Sequence, residues 1–76
     1  MMRRLEIHFD APAPAVAMAS DLIEGLDVRP ILDEGEPPGV TLRVVVPDHL
    51  ARMLREVAAV HGGTVVAETA PGKSRS

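Results

Sequence analysis

The sequence predicts an α+β fold of β-α-β-β-α-β order, with two helices covering one face of a four-stranded antiparallel sheet, and three observations lead there. Apolar and polar residues alternate at Leu5, Ile7 and Phe9 and again from Val40 to Val46, the period of strands with one buried face. Across 13–26 and 48–61 the apolar residues instead recur at spacings of three and four, the period of amphipathic helices. Segments rich in Pro and Gly separate these runs, at Ala11 to Pro14, Asp33 to Gly39 and Gly62-Gly63.

Each element has a local reason. Arg3 to Phe9 forms the first strand, its apolar Leu5, Ile7 and Phe9 opposed by Glu6 and His8. Pro12 and Pro14 suit the first turn of the helix that follows, where a missing N–H costs nothing. From Ala13 to about Leu26, Ala15, Met18, Ala19, Leu22, Ile23 and Leu26 share one side, and Gly25 offers a left-handed stop. Val28 to Leu32 is a second strand, and Pro30 within it demands a sheet edge. Asp33 to Gly39, crowded with turn formers and charge, is an exposed hairpin loop.

Val40 to Val46 is the most β-branched segment and therefore a central strand, with Val40, Leu42, Val44 and Val46 inward and Thr41, Arg43 and Val45 outward. Pro47-Asp48 opens the second helix, Asp48 being a candidate cap, and Leu50, Met53, Leu54, Val57 and Val60 supply its apolar side. Gly62-Gly63 ends that helix, and Thr64 to Glu68 is the last strand. The order is that of the ferredoxin-like plait. Right-handed crossovers put strands one and three at the centre and strands two and four at the edges. Residues 3–68 form one such domain, and residues 69–76, which include Pro71, Gly72 and Lys73, are expected to be a disordered tail.

Composition narrows the chemistry. A chain of 76 residues buries only about 60% of its unfolded surface, so its stability is modest or supplemented by a partner. There is no Cys, which removes disulfides, thiolate metal sites and Cys nucleophiles. The net charge of −3 argues against a nucleic-acid partner. Residues 1–36 hold eight acidic and three basic side chains, whereas residues 37–76 hold three acidic and five basic, a dipole suited to protein partners or self-association. The N-terminus is followed by Glu6, His8 and Asp10 rather than an apolar run, and no stretch is long enough to insert in a membrane, so a cytoplasmic location is expected.

The common chemistries of this fold can be checked against its residues. Base stacking requires aromatics on the outer positions of the central strands, but those are Glu6, His8, Thr41, Arg43 and Val45. A metallochaperone requires a Cys pair after strand one, and an acylphosphatase a Gly-containing loop with an Arg; Asp10 to Pro14 holds neither. His49 and His61 are more than three helical turns apart and cannot share an ion within one chain, although a metal shared through His8 of two stacked sheets is conceivable. The simpler reading makes His61 a helix C-terminal residue favoured by the dipole and His8 a surface partner of Arg43 or Glu6. Ser20, Ser74 and Ser76 have no motif around them, and Asp33, Glu34 and Glu36 lack the spacing of a calcium loop. No catalytic residue, metal ligand or cofactor is assigned, and the chain reads as a non-enzyme.

Two segments resemble a known family. Phe9-Asp10-Ala11-Pro12-Ala13-Pro14-Ala15-Val16-Ala17 looks like the opening of an ACT domain, with an acidic residue and a Pro before a small-residue helix start. Ile31 to Gly35, with Gly39 to Val46, is similar to the hairpin of the NIL domain, the ACT-like regulatory module of methionine importers. The resemblance implies an amino-acid-like ligand at a dimer interface, its polar end meeting backbone N–H groups near Asp10, Ala11 and Ala13. The usual Gly of that loop is here Ala13-Pro14, which removes both space and a donor.

Two functions follow as expectations. The first is a protein-interaction or accessory module that forms a homodimer through the free edge of strand four, Thr64, Val65, Val66, Ala67 and Glu68, because that edge lacks Pro whereas strand two carries Pro30. The alternative is a regulatory domain that senses a small molecule at Asp10, Ala11 and Ala13.

Overall fold

The computed structural model describes residues 2–33 and 39–69. Their order is β1 (Met2–Phe9), α1 (Pro12–Leu26), β2 (Ile31–Asp33), β3 (Val40–Pro47), α2 (Asp48–Val60) and β4 (Thr64–Thr69). The strands form one antiparallel sheet in the order β2-β3-β1-β4, with both helices on one face, the expected ferredoxin-like plait. Of the expected hairpin loop Asp33 to Gly39, residues 34–38 lie outside the described residues and Asp33 belongs to β2; of the expected tail 69–76, residues 70–76 lie outside them and Thr69 belongs to β4.

The core is built on the β1–β3 pair. Register places Leu5 opposite Val44, Ile7 opposite Leu42 and Phe9 opposite Val40, and all six are buried on the helix side. Both helices press small residues onto this surface: Ala15 and Ala19 of α1, Ala51 and Ala58 of α2, flanked by Met18, Leu22 and Leu54. Small side chains at the contact let the helix backbones sit close to the sheet, and the larger ones fill the gaps between rows. No polar or charged side chain among the described residues is buried.

The helices are rotated slightly from the faces their sequence suggests. Ile23 of α1 is half exposed, Met53 of α2 is exposed at 41%, and Val60 points to solvent at 82% exposure. At about 100° per residue, Met53 and Val60 fall roughly 100–120° around the helix from Leu54. The contact line instead runs through Ala51, Leu54 and Ala58, with Leu50 and Val57 partly buried beside it.

Three local expectations are corrected. Gly25 stays within α1, and Asp27 takes the left-handed conformation (φ 56°) that ends the helix, its N–H donating to the Leu22 carbonyl. Asp shares with Asn a tolerance for this region that most side chains lack. Asp48 is the first residue of α2 and not its N-cap, which is Pro47 and makes no side-chain capping hydrogen bond; the Asp48 carboxylate accepts instead from Arg3. The second strand is only Ile31–Asp33, so Pro30 precedes it rather than interrupting it, although β2 is an edge as expected.

The α2–β4 turn is tightly determined. Gly62 has φ +81°, which favours Gly. A Cβ on Gly63 would lie 2.7 Å from Ile7 Cγ2 and from the Phe9 ring, in the middle of the core. Gly63→Ala is therefore expected to lower unfolding free energy by about 1–3 kcal/mol through overpacking. Leu54→Ala, which empties a fully buried position on α2, is expected to cost about 2–5 kcal/mol. Urea denaturation at neutral pH measures both; a Gly63→Ala midpoint equal to that of the parent would show that β1 yields at this point.

Candidate interaction surfaces

The β4 edge is shaped by a bulge. Val65 pairs with Ile7 and Ala67 with Glu6, so Val66 has no partner on β1 and the register shifts there. One extra residue reverses the alternation beyond it. Glu68, opposite Leu5, consequently belongs to the helix side of the sheet, whereas unbroken alternation from Val65 would send it to the open face.

That placement completes an ion-pair network. Arg3, also on the helix side, donates to Asp48 at the first turn of α2 and to Glu68 Oε2 at 3.2 Å, while Arg55 of α2 donates to Glu68 Oε1. The hydrogen bond from Arg3 holds the Asp48 carboxyl below the usual carboxylate range, and the same bond raises the Arg3 guanidinium. The network ties β1, α2 and β4 together at one end of the sheet. At the other end of α2, His61 Nε2 lies 3.0 Å from Asp21 Oδ2 of α1, so this residue joins the helices besides standing at a helix C-terminus.

The residues expected to form the dimer edge, Thr64, Val65, Val66, Ala67 and Glu68, all lie on β4, whose outer side is unpaired in the described sheet. Val66 is 57% exposed. Glu68 is the sole charged residue of the strand, and it is engaged by Arg3 and Arg55. Asp10, Ala11 and Ala13 stand exposed at the start of α1. Ala11 is the N-cap residue and gives no side-chain hydrogen bond, while Pro12 and Pro14 withhold two donors from the first turn.

His8 does not partner Arg43 or Glu6. Its Nε2 is 3.6 Å from Asp10 Oδ1, and its ring covers Gly39, where any Cβ would collide with it. Arg43 and Glu6 pair with each other at 3.6 Å, and Arg43 also reaches Asp33 at 3.0 Å.

The open face also carries a groove of about 550 Å³, lined by Arg4, Glu6, Arg29, Ile31, Arg43 and Val45 with part of Val44. Sequence reasoning placed Glu6, Arg43 and Val45 on this face. It missed the groove because Arg29, which precedes β2, and Ile31, its first residue, read in the sequence as interior positions of a strand beginning at Val28. Among the described residues no cluster of three or more His, Asp or Glu is arranged to hold a metal ion, and no helix is long and apolar enough to cross a membrane.

Comparison with protein-family models, with curated proteins and with solved structures finds no match to this chain.

The Arg3–Asp48 contact sets a pH dependence. A carboxyl whose folded value is lowered contributes stability that is complete above its unfolded range and is lost as pH falls through the folded value. Asp48→Asn is thus expected to be less stable than the parent at neutral pH, with the two curves converging in acid. Urea midpoints taken from about pH 2 to pH 7 measure this, and a constant gap at every pH would remove the charge of Asp48 as its cause.

Proposed function

We propose that the chain is a small non-enzymatic interaction module that self-associates by pairing β4 with β4 of a second copy. The carrying observation is the composition of this edge: six residues, Thr64–Thr69, with no Pro, no Lys and one carboxylate already neutralised by two arginines. Edge strands left free of pairing are ordinarily protected by charge, Pro, shortness or a bulge, and of these β4 has only the bulge at Val66. β2 shows such protection, being three residues long and preceded by Pro30. An antiparallel β4–β4 pair is self-complementary and closes with two-fold symmetry into one continuous eight-stranded sheet. The small core supports the same reading, since a chain of this size gains stability from the added burial.

Sedimentation equilibrium tests the reading. A dimer is expected at micromolar concentration, and Val66→Lys, a charge on the exposed bulge position, is expected to raise its dissociation constant by about tenfold or more. A monomer at high micromolar concentration would sink the proposal; so would a dimer indifferent to Val66→Lys and to Val65→Pro.

A second reading, an ACT- or NIL-like domain that senses an amino-acid-like ligand, is favoured by the exposed and side-chain-uncapped start of α1 at Asp10, Ala11 and Ala13. Thermal melts with a panel of amino acids at millimolar concentration are then expected to show a raised midpoint for at least one of them. A flat panel leaves the interaction module alone.

A further inference from the structure

We propose that the groove on the open sheet face binds a small organic oxyanion, a carboxylate or phosphate ester carried on a compact aliphatic body. Its volume of about 550 Å³ lies within the roughly 300–1,000 Å³ of small-molecule sites. Three of the six arginines among the described residues line it, Arg4, Arg29 and Arg43, on a chain whose net charge is −3. The concentration of positive charge here runs against the overall balance, and it is this local complementarity that selects an anion.

The arginines divide into two kinds. Arg43 is held between Glu6 and Asp33 and serves as a fixed part of the wall. Arg4 and Arg29 have no ion-pair partner among the described residues. Arg4 is the register partner of Val45, and Arg29 lines the groove from the segment that leads into β2. With strands about 4.8 Å apart, the β1 and β2 lines stand about 10 Å from each other on the two sides of Val45. Two guanidinium forks on stems of that reach can converge on one carboxylate or phosphate and bind it in bidentate fashion.

The apolar half of the ligand has its own surface. Val45 is 47% and Ile31 64% exposed, and both are aliphatic side chains in this groove beside its arginines. A cation finds only Glu6 here, already paired with Arg43. A nucleic-acid base finds no aromatic, because Phe9 is fully buried on the opposite face. The groove lies toward the β2 edge and β4 is the other edge, so pairing through β4 leaves it open and the two proposals stand separately.

Isothermal titration calorimetry on the whole chain tests this, with hexyl phosphate and hexanoate as probes, inorganic phosphate as the head group alone and hexanol as the body alone. One-to-one saturable binding is expected for at least one amphipathic anion, about tenfold tighter than for inorganic phosphate, with none for hexanol. The tighter of the two probes names the head group. Arg4→Gln and Arg29→Gln are each expected to weaken that probe by about tenfold, whereas Arg52→Gln, on the exposed side of α2, leaves it unchanged. Val66→Lys, which addresses the β4 edge, is expected to bind the probe as the parent does. Absence of saturable binding, or equal affinity in Arg4→Gln and Arg29→Gln, overturns the site. So does an Arg4→Gln variant whose change appears in the dimer dissociation constant and not in the probe, which would make this face a contact between copies.

Discussion

The register of β1 against β3 is the constraint on which the rest of the molecule depends. Leu5, Ile7 and Phe9 meet Val44, Leu42 and Val40 on one face, and no side chain of either row is more than marginally accessible. Strand geometry has a period of two, so a slip of β1 by one residue would bring Glu6 and His8 under the helices and Leu5, Ile7 and Phe9 into water. With no aromatic other than Phe9 to fill space, the core relies on close approach. The alanines of α1 and α2 and the missing side chain at Gly63 allow it. Position is therefore set by shape at the sheet and by small residues on the helices, each requiring the other.

Once that pair is fixed, the edges take different characters. β2 is short and bounded by Pro30, and Arg43 ties it to β3 through Asp33. β4 is longer and bulged, and its one carboxylate is turned toward Arg3 and Arg55. The bulge at Val66 thus has two effects with one cause: it moves Glu68 into the ion-pair network, and it leaves the outer edge of β4 without a charged guard. The contact of Glu68 with Arg3 and Arg55 on the helix side thus arises from the one extra residue at Val66.

The open face is the counterpart of the covered one. Its residues are the alternate positions of the same strands, and their polarity is what keeps this side of the sheet uncovered by the chain's own helices. Within that polarity the distribution is uneven. Acidic Glu6 and Asp33 are occupied by Arg43, while Arg4 and Arg29 stand beside exposed Val45 and Ile31. A surface of this kind is amphipathic on a scale of a few residues, and the candidate sites of the molecule are accordingly the groove and the β4 edge rather than a cleft with converging acids and bases.

The sequence by itself determined the element order, the central places of β1 and β3, the edge places of β2 and β4, and the inward set from Leu5 to Val46, because periodicity, β-branching and Pro are local properties with strong geometric consequences. Of the surfaces, the composition of the β4 edge and the outward positions Glu6, Arg43 and Val45 were equally legible. Only the tertiary structure decided the rest. It placed Asp27 rather than Gly25 in the left-handed turn and gave Asp48 to Arg3 instead of to the helix end. It turned α2 so that Val60 faces solvent and Met53 is exposed, and it put the bulge at Val66. It also brought Arg29 and Ile31 beside Arg4. Apart from the Asp27 turn, which bonds back to Leu22, each of these turns on a partner far away in the chain, and a contact between distant residues is settled by how the elements pack, which no local pattern encodes.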